Sequence, residues 1–331
     1  MKITYFFRHP NKNYMSIEQL FLNFIQPSLN SSIDFKNYYL KSNCKGALNR
    51  FKAIKEVVSE QGEINHITGD VHFISILLNK KKTILTIHDL EFIERESGLK
   101  RWFLKFFWVT LPIYRVRFIT TISEETKIQL LKMIPKRMTS KIVVIPNCIN
   151  TDQITFNPKP SIDTIPVLLQ IGTRHNKNIG NLIKAIVGIP CILNIVGELN
   201  EEQLEMLAEN KIQYFNFVNI SYPKIVDLYK QCDIVTFIST YEGFGLPILE
   251  ANATGRPVIT SNVSCMPEVS GGSTLLVNPY DVVEIRNGIY KLIKDQELRD
   301  FLVAKGQENV KRYSSAKIAE SYELLYNQIL D

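Results

Sequence analysis

The chain has 331 residues, enough for two domains of ordinary size, and a net charge of +6. Its composition, 45% apolar and 22% charged, is typical of a globular protein with a large core. No segment approaches the roughly 18 uninterrupted apolar residues of a membrane span, and the first ten residues lack the apolar core of a secretory signal. We therefore expect a cytoplasmic protein.

Charge is distributed unevenly along the chain. Residues 1–160 carry 24 lysines and arginines against 13 aspartates and glutamates, whereas residues 161–331 carry 15 against 20. The basic half indicates an anionic substrate or a peripheral contact with a membrane, unless surface charge merely drifts along the chain. We expect no nucleic-acid partner.

The cysteines and histidines form no metal-binding pattern. The five cysteines are spread widely with no Cys-x-x-Cys pair, the five histidines form no His-Glu-x-x-His motif, and no Asp-x-Asp occurs. We expect the cysteines to be small core residues, and we expect neither disulfides nor a bound metal or other cofactor.

In chain order, the first half predicts strands near 2–7, 63–67, 83–88, 118–122 and 141–145, with helices near 16–25, 47–60, 100–111 and 123–133. Residues 147–166 hold three prolines and no sustained period, and they predict a linker. The second half predicts strands at 166–171, 191–196, 212–218, 234–238, 257–260 and 274–277. The helices between them are predicted near 179–187, 201–209, 222–230, 247–254 and 281–294, and a last helix near 315–330.

Apolar strands that alternate with helices indicate parallel sheets covered on both faces. We therefore expect two doubly wound α/β domains, 1–155 and 156–314, facing a cleft. Residues 315–331 are expected to form a C-terminal helix that packs back on the first domain. Ligands bind at the carboxyl ends of parallel strands, so the chemistry is expected there.

The most informative segment is STYEGFGLPILEANATGRP, residues 239–257. It follows a predicted strand, contains Gly243 and Gly245, and begins a helix with Pro247 near the first helical position. The positive end of a helix at a strand's carboxyl edge attracts phosphate. Seven residues separate Glu242 from Glu250, and two carboxylates beside a diphosphate are better suited to accept hydrogen bonds from sugar hydroxyls. Alternatively, Glu250 caps the helix or pairs with a cation such as Arg256.

A second phosphate-binding candidate is GTRHNKN, residues 172–178, after the strand at 166–171. It supplies Gly172, Arg174 and Lys177, and a cation there can neutralise charge on a leaving diphosphate. Lys177 is the stronger candidate, and a solvated surface position is the alternative for both cations. Neither a Gly-x-Gly-x-x-Gly fingerprint nor a Walker A loop is present.

In the first half, TIHDL places His88 and Asp89 at the end of a predicted buried strand, and HITGD places Asp70 at the end of another. A histidine there can donate or accept a proton near neutral pH. The alternative for both segments is a turn stabilised by the aspartate side chain.

With these motifs in place, the chain resembles a family 4 retaining glycosyltransferase of the GT-B type. EGFGLPILE (242–250) is similar to that family's E-x7-E signature. PEVSGG (267–272), TIHDL (86–90), TISEE (121–125), KIVVIPN (141–147) and GTRHNKN (172–178) follow in the family's order.

The resemblance implies that Glu242 faces the hydroxyls of the transferred sugar, helped by backbone amides from Gly243 to Gly245, and that Glu250 holds the nucleotide ribose. Lys177, with Arg174, would hold the diphosphate, and His88 would line the sugar pocket. The implied site residues are, for catalysis, Glu242, His88 and Lys177; for donor binding, Gly172, Arg174, Gly243, Phe244, Gly245, Leu246 and Glu250; and on the acceptor side, Ser16, Asp70 and Asp89. A leaving-phosphate oxygen would help deprotonate the acceptor, and no divalent metal would be required.

Three positions depart from the family pattern. The loop RHPNKNYMS (8–16) contains no glycine, Cys148 replaces a glycine after Pro-Asn, and Asn176 stands where an arginine often precedes Lys177. The first departure bears on the route to the acceptor and phosphate at that loop, and Cys148 is expected to change only a turn. The third makes Arg174 a weaker assignment than Lys177.

The segment KRWFLKFFW (100–108) bears on the acceptor. On a helix, Trp102, Phe103, Phe106 and Phe107 share one face, which we expect to be core, while Trp108 is expected to project among cations on the other side. Aromatic residues beside cations suit a membrane interface, although ordinary packing with a soluble acceptor explains them equally.

We expect a transferase that moves a hexose, with mannose favoured, from a nucleoside diphosphate sugar to a glycan or glycolipid in surface-polysaccharide synthesis. A nucleotide-sugar epimerase of the same architecture, and a catalytically silent glycan- or nucleotide-binding subunit, are the alternatives.

Overall fold

The structure of the protein is a computed structural model, and it describes residues 1–10, 16–149, 151, 154–159, 161–162 and 165–330. The contacts of the chain divide it into two compact units. The first unit comprises Met1–Cys148 and Ser315–Asp331, and the second unit comprises Ile149–Ser314. The first unit ends at Cys148, whereas the sequence analysis predicted a boundary after residue 155.

The first unit contains a six-stranded parallel sheet in the order β2-β1-β3-β4-β5-β6. Its strands are β1 Lys2–Phe7, β2 Asp34–Tyr39, β3 Ile64–Ile67, β4 Thr83–Ile87, β5 Phe118–Thr121 and β6 Ile142–Val144. The helices are α1 Ser16–Gln19, α2 Gln26–Ser28, α3 Ala47–Glu56, α4 Glu91–Glu94, α5 Gly98–Leu104, α6 Leu111–Tyr114, α7 Glu124–Met133 and the C-terminal α15 Ser315–Leu330. π-helical turns at Leu20–Ile25 and Lys105–Thr110, and 3-10 turns at Val57–Glu60, His72–Ile76, Lys80–Lys82 and Lys136–Lys141, complete it.

The second unit contains a six-stranded parallel sheet in the order β12-β11-β10-β7-β8-β9. Its strands are β7 Val167–Ile171, β8 Ile192–Val196, β9 Gln213–Phe217, β10 Ile234–Phe237, β11 Val258–Ser261 and β12 Leu275–Val277. The helices are α8 Ile179–Ile186, α9 Glu201–Glu209, α10 Tyr222–Gln231, α11 Leu246–Thr254, α12 Met266–Ser270, α13 Val282–Lys294 and α14 Gln296–Val310, with 3-10 turns at His175–Lys177 and Lys311–Tyr313. The prediction of two doubly wound parallel-sheet folds is confirmed.

Successive residues of the first unit's strands pack into two different cores. Ile3, Tyr5 and Phe7 of β1 face one buried cluster, whereas Phe6 faces the other. This alternation is what a sheet covered on both faces requires. The C-terminal helix α15 contributes to the first of these clusters through Tyr322.

The strand β2 was not predicted. Its sequence DFKNYY is half polar and lies at the edge of the sheet, pairing with β1 alone, so it lacks the apolar run that marks a central strand. Among the described residues, no helix is both long enough and apolar enough to cross a bilayer.

Candidate active site

The loop after β7 positions Lys177. Gly172 follows the strand with a φ of +88°, and a Cβ at this position would lie 2.9 Å from the Lys177 Cε atom. A glycine therefore lets the aliphatic part of the lysine lie against the backbone. The short turn His175–Lys177 then leads into α8. Arg174, which precedes this turn, is exposed, and its carbonyl oxygen accepts a hydrogen bond from the Lys177 amide at 2.8 Å.

Lys177 and Glu242 form an ion pair, with 2.6 Å between Nζ and Oε1. Their side chains are only 17% and 14% exposed, so both charges are largely shielded from water. Asn176 donates from Nδ2 to the Tyr241 carbonyl at 2.9 Å and to the same Glu242 oxygen at 3.3 Å. The ammonium also lies 4.7 Å from the centroid of the Phe237 ring, a cation–π distance. The structure thus brings together a predicted cation and a predicted carboxylate 65 residues apart in sequence.

The backbone around Glu242 is held by the segment that follows β11. Ser264 Oγ donates to the Glu242 carbonyl at 2.9 Å, and the Glu242 amide donates back to Ser264 Oγ at 3.3 Å. The Cys265 thiol donates to the carbonyls of Glu242 and Phe244. Burial raises the pKa of this thiol, and the nearby Glu242 charge raises it further, so Cys265 stays protonated as a donor.

Gly245 ends the loop with a φ of +106° and precedes α11. The first turn of α11 contains Pro247, which has no N–H, and the Ile248 amide donates to the Gly245 carbonyl at 3.0 Å. The positive end of the helix dipole lies at this turn. Phe244 was a predicted donor-binding residue. Its side chain is buried against the Tyr313 ring, so any contact with a donor falls to its backbone. Leu246, the first residue of α11, is half-buried.

Glu250 lies in the second turn of α11, where two tyrosines of α10 hold it. The Tyr229 hydroxyl donates to Oε2 at 2.8 Å, and Tyr222 also bonds to this carboxylate. Burial raises the pKa of Glu250, while these two hydrogen bonds act to lower it. Arg256 instead donates to backbone carbonyls, including those of Gly255 and Lys230, so the predicted alternative of a Glu250–Arg256 pair is wrong.

The acceptor-side candidates lie in the first unit. Asp70, His88 and Asp89 line one cavity of about 300 Å³, together with residues the sequence analysis did not assign to a site, namely Arg50, His72, Phe92, Leu104 and Trp108. No sequence signal marks Arg50, which lies in the middle of α3. Ser16 begins α1, and its side chain, like residues 11–15 of the preceding loop, lies outside the described residues.

His88 is oriented by its neighbours in this cavity. Its Nε2 atom donates to the Thr68 carbonyl at 2.7 Å, which leaves Nδ1 as the acceptor of the neutral ring. Burial lowers the pKa of His88, although the Thr68 bond and the charges of Asp70 and Asp89 oppose that effect. Gly69 is required beside the ring, because a Cβ there would lie 2.7 Å from His88 Cδ2.

The aromatic segment 100–108 is oriented opposite to the prediction. Trp108 is half-buried, donates from Nε1 to the Asp70 carbonyl at 3.2 Å and packs against Phe73, whereas Trp102 and Phe103 are exposed. The π-helical turn Lys105–Thr110 accounts for the position of Trp108. Its extra residue per turn rotates Trp108 toward the core, and a regular 3.6-residue period does not predict this rotation.

Residues 152–309 match the family model of glycosyl transferases group 1. O-antigen chain mannosyltransferase B of Escherichia coli is 29% identical over 241 residues, which cover 63% of this chain and 61% of that protein. Phosphatidyl-myo-inositol mannosyltransferase of Mycobacterium leprae is 26% identical over 208 residues, covering 57% and 54% of the two chains. The chain therefore spans less than two thirds of the length of these relatives.

Solved structures share the whole fold. HepE of Anabaena, crystallised with UDP and glucose, superposes with a TM-score of 0.80 at 16% identity and covers 99% of this chain and 100% of its own. Sucrose-phosphate synthase of Thermosynechococcus elongatus superposes with a TM-score of 0.78 at 16% identity, covering 99% of each chain. Residues 152–309 thus match the glycosyl transferases group 1 family, and the two six-stranded parallel sheets have the GT-B fold.

Proposed function

We propose that this protein transfers a hexose, with mannose favoured, from a nucleoside diphosphate sugar to a hydroxyl of a growing glycan or a lipid-linked oligosaccharide. In this proposal the chain is a family 4 enzyme that uses the Glu242 to Glu250 motif as its E-x7-E signature, retains the anomeric configuration and needs no metal or other cofactor. The mannosyltransferase names of the E. coli and M. leprae relatives support the choice of sugar.

The observation that carries the proposal is the Lys177–Glu242 ion pair at the carboxyl ends of β7 and β10. An ammonium suits the phosphate of a nucleotide sugar, and a carboxylate suits the hydroxyls of its hexose. The positive end of the α11 dipole, at Leu246, supplies further positive potential for a diphosphate. A nucleotide sugar has a sugar on one side of the bond that breaks and a diphosphate on the other. This largely shielded pair offers a carboxylate to the sugar and an ammonium to the diphosphate.

Within this proposal, Lys177 and the exposed Arg174 stabilise the charge that develops on the leaving diphosphate, a contribution that is often the largest in catalysis. Glu250, oriented by Tyr229, accepts hydrogen bonds from the ribose hydroxyls. A leaving-phosphate oxygen takes the acceptor proton on the face from which the diphosphate departs. The cavity with Asp70, His88 and Asp89 takes the acceptor, since its carboxylates and imidazole can bind and orient hydroxyl groups.

Incubation with a panel of nucleoside diphosphate hexoses, with and without a lipid extract, tests the proposal. A transferase consumes one donor and produces a glycosylated lipid or glycan only when the acceptor is present. An epimerase would convert the donor without any acceptor, and a silent binding subunit would retain nucleotide without consuming donor. Either of these two outcomes contradicts the proposal, and anomeric analysis of the product by NMR tests retention.

A further inference from the structure

One helical segment of the first unit presents large apolar side chains to solvent. Leu99 is 87% exposed, Trp102 63%, Phe103 47% and Phe106 36%. We refer to these four residues as the aromatic ridge. Scattered single apolar residues are normal on a surface, but four within eight positions of one segment form a contiguous feature.

The side chains of the aromatic ridge pack on one another and on the adjacent ring of Phe107. Trp102 and Phe106 stack with centroids 5.6 Å apart and an angle of 9° between their planes, and Phe103 lies 4.5 Å from Phe107. Meanwhile the π-helical turn directs Val109 into the core, where it is fully buried. The segment thus anchors itself through its later residues and holds the ridge outward.

The charged residues within the segment that bears the ridge are all positive. Between Glu96 and Glu124 the sequence contains five cations and no acidic residue, and three of the cations, Lys100, Arg101 and Lys105, alternate with the ridge residues. Glu96, two residues before α5, pairs with Lys100 at 2.6 Å. Apolar and aromatic side chains interleaved with cations are suited to the headgroup region of an anionic bilayer.

A second copy of the chain is a less suitable occupant. In a two-fold symmetric dimer the same surface meets itself, so the three ridge cations of one copy would face the three of the other. An anionic lipid surface instead complements them. The charge pattern therefore favours a bilayer over self-association.

We propose that the aromatic ridge is a bilayer-docking surface, in which Leu99, Trp102, Phe103 and Phe106 enter the headgroup region while Lys100, Arg101 and Lys105 bind anionic lipid. Leu104 and Trp108 of the same segment line the cavity of the first unit, so docking brings that cavity beside the lipid surface. This inference depends on the ridge alone, so it does not require the proposed donor or the proposed sugar to be correct.

Trp102 and Trp108 are the only two tryptophans of the chain, so each can be made a single reporter. In Trp108→Phe the remaining Trp102 is expected to shift its emission to the blue and to be quenched by brominated lipid on vesicles that contain phosphatidylglycerol. In Trp102→Phe the half-buried Trp108 is expected to respond much less. Equal responses of the two reporters, or none from Trp102, would overturn the proposal.

Vesicle co-sedimentation tests the ridge and its charges separately. The double change Trp102→Ser and Phe103→Ser is expected to weaken binding to anionic vesicles at least about tenfold. The matched control is Phe301→Ser, a 55% exposed phenylalanine of the second unit, which should bind like the natural sequence. Neutralising Lys100, Arg101 and Lys105 to glutamine should weaken binding about a hundredfold and remove most of its salt dependence.

Two further measurements distinguish the loss of a lipid contact from misfolding and from self-association. Circular dichroism melting shows whether each variant is folded, and a folded ridge variant that still binds vesicles as tightly as the natural sequence refutes the proposal. Sedimentation equilibrium detects self-association. If the ridge variant converts a dimer into a monomer while vesicle binding is unchanged, the ridge is a contact between copies and the bilayer proposal is wrong.

Discussion

Lys177 and Glu242 hold each other in place before any donor arrives. Because both side chains are largely shielded, removing one of them leaves the other as an uncompensated, partly buried charge. A substitution at either position therefore removes a contact and also leaves the partner's charge unbalanced. The sign of the remaining charge decides whether affinity for a diphosphate rises or falls.

The first prediction concerns Glu242→Ala. In the proposed mechanism, loss of this carboxylate removes hydrogen bonds to the sugar and leaves the Lys177 ammonium to the diphosphate alone. We expect turnover to fall by about two to three orders of magnitude, with affinity for the nucleoside diphosphate kept or increased. Initial rates of product formation and titration calorimetry measure the two quantities, and Glu202→Ala on an exposed helix serves as control. Parallel losses in turnover and nucleotide affinity would contradict the proposed division of roles.

The second prediction concerns the hydrogen bond from Tyr229 to Glu250. We expect Glu250→Ala mainly to weaken nucleotide binding. Tyr229→Phe, which removes a bond of 2.8 Å, is expected to raise the nucleotide Kd about five- to tenfold, a change of about 1 kcal/mol, with a smaller effect on turnover.

A double-mutant comparison tests whether Tyr229 acts through Glu250. In the Glu250→Ala background, Tyr229→Phe is expected to change the nucleotide Kd no further, because the carboxylate it orients is gone. Additive effects in the double variant would show that Tyr229 has its own contact with the nucleotide, and its positioning role would then be wrong.

At the scale of elements, the sequence predicts central strands well because their chemistry is simple. β7 and β10 are buried parallel strands, and a short run of apolar residues is sufficient to identify them. The edge strand β2 escapes this rule because half of its residues face water. Likewise, the faces of the segment 98–114 were interchanged because a π-helical turn changes the helical period within an otherwise regular pattern.

Some contacts of the candidate site could likewise be predicted from local patterns in the sequence, and others could not. Lys177 and Glu242 could be predicted because each follows a predicted strand, and the carboxyl ends of neighbouring parallel strands converge. The bond between Tyr229 and Glu250 joins the faces of two helices, and the contact of Arg50 with Trp108 joins two further segments. Side-chain contacts of this kind depend on how helices pack, which local patterns in one sequence do not encode.

The third prediction concerns the buried histidines of the first unit. His66 in β3 is fully buried between the Tyr326 hydroxyl at 2.8 Å and the Thr86 hydroxyl at 2.7 Å, and burial lowers its pKa to about 3. Burial also lowers the pKa of His72. An unfolded histidine titrates near 6.5, so between that pH and about 3 the unfolded state binds a proton that native His66 does not. Stability should therefore fall as the pH falls.

The expected size of this effect is up to about 1.4 kcal/mol per pH unit for each buried histidine, or about 2 kcal/mol from His66 between pH 7 and pH 5. Urea unfolding at the two pH values measures it. The control is His66→Asn, which should be less stable at pH 7 but show a smaller loss on acidification. An unchanged pH dependence in this variant would assign the acid sensitivity to other groups.

At the scale of the whole molecule, the chain leaves the first unit after Cys148, forms the second unit and returns at Ser315. The returning helix α15 completes the core of the first unit, where Tyr326 bonds to Tyr5 and to His66 and packs with Tyr322. The first unit is therefore completed by the last residues of the chain to be synthesised. Its core cannot form in full until α15, which follows the second unit in sequence, is present.

The fourth prediction tests this dependence with two neighbouring leucines of α15. Leu325 is 3% exposed within the core of the first unit, whereas Leu324 is 60% exposed. Leu325→Ala leaves a cavity beside the sheet and is expected to cost about 2–5 kcal/mol, while Leu324→Ala on the same helix should cost less than about 0.5 kcal/mol. Hydrogen exchange read by mass spectrometry should show faster exchange in residues 1–148 of Leu325→Ala and unchanged exchange in the second unit. If both units lose protection equally, α15 stabilises the molecule as a single cooperative body; if neither does, the helix is dispensable to the core it covers.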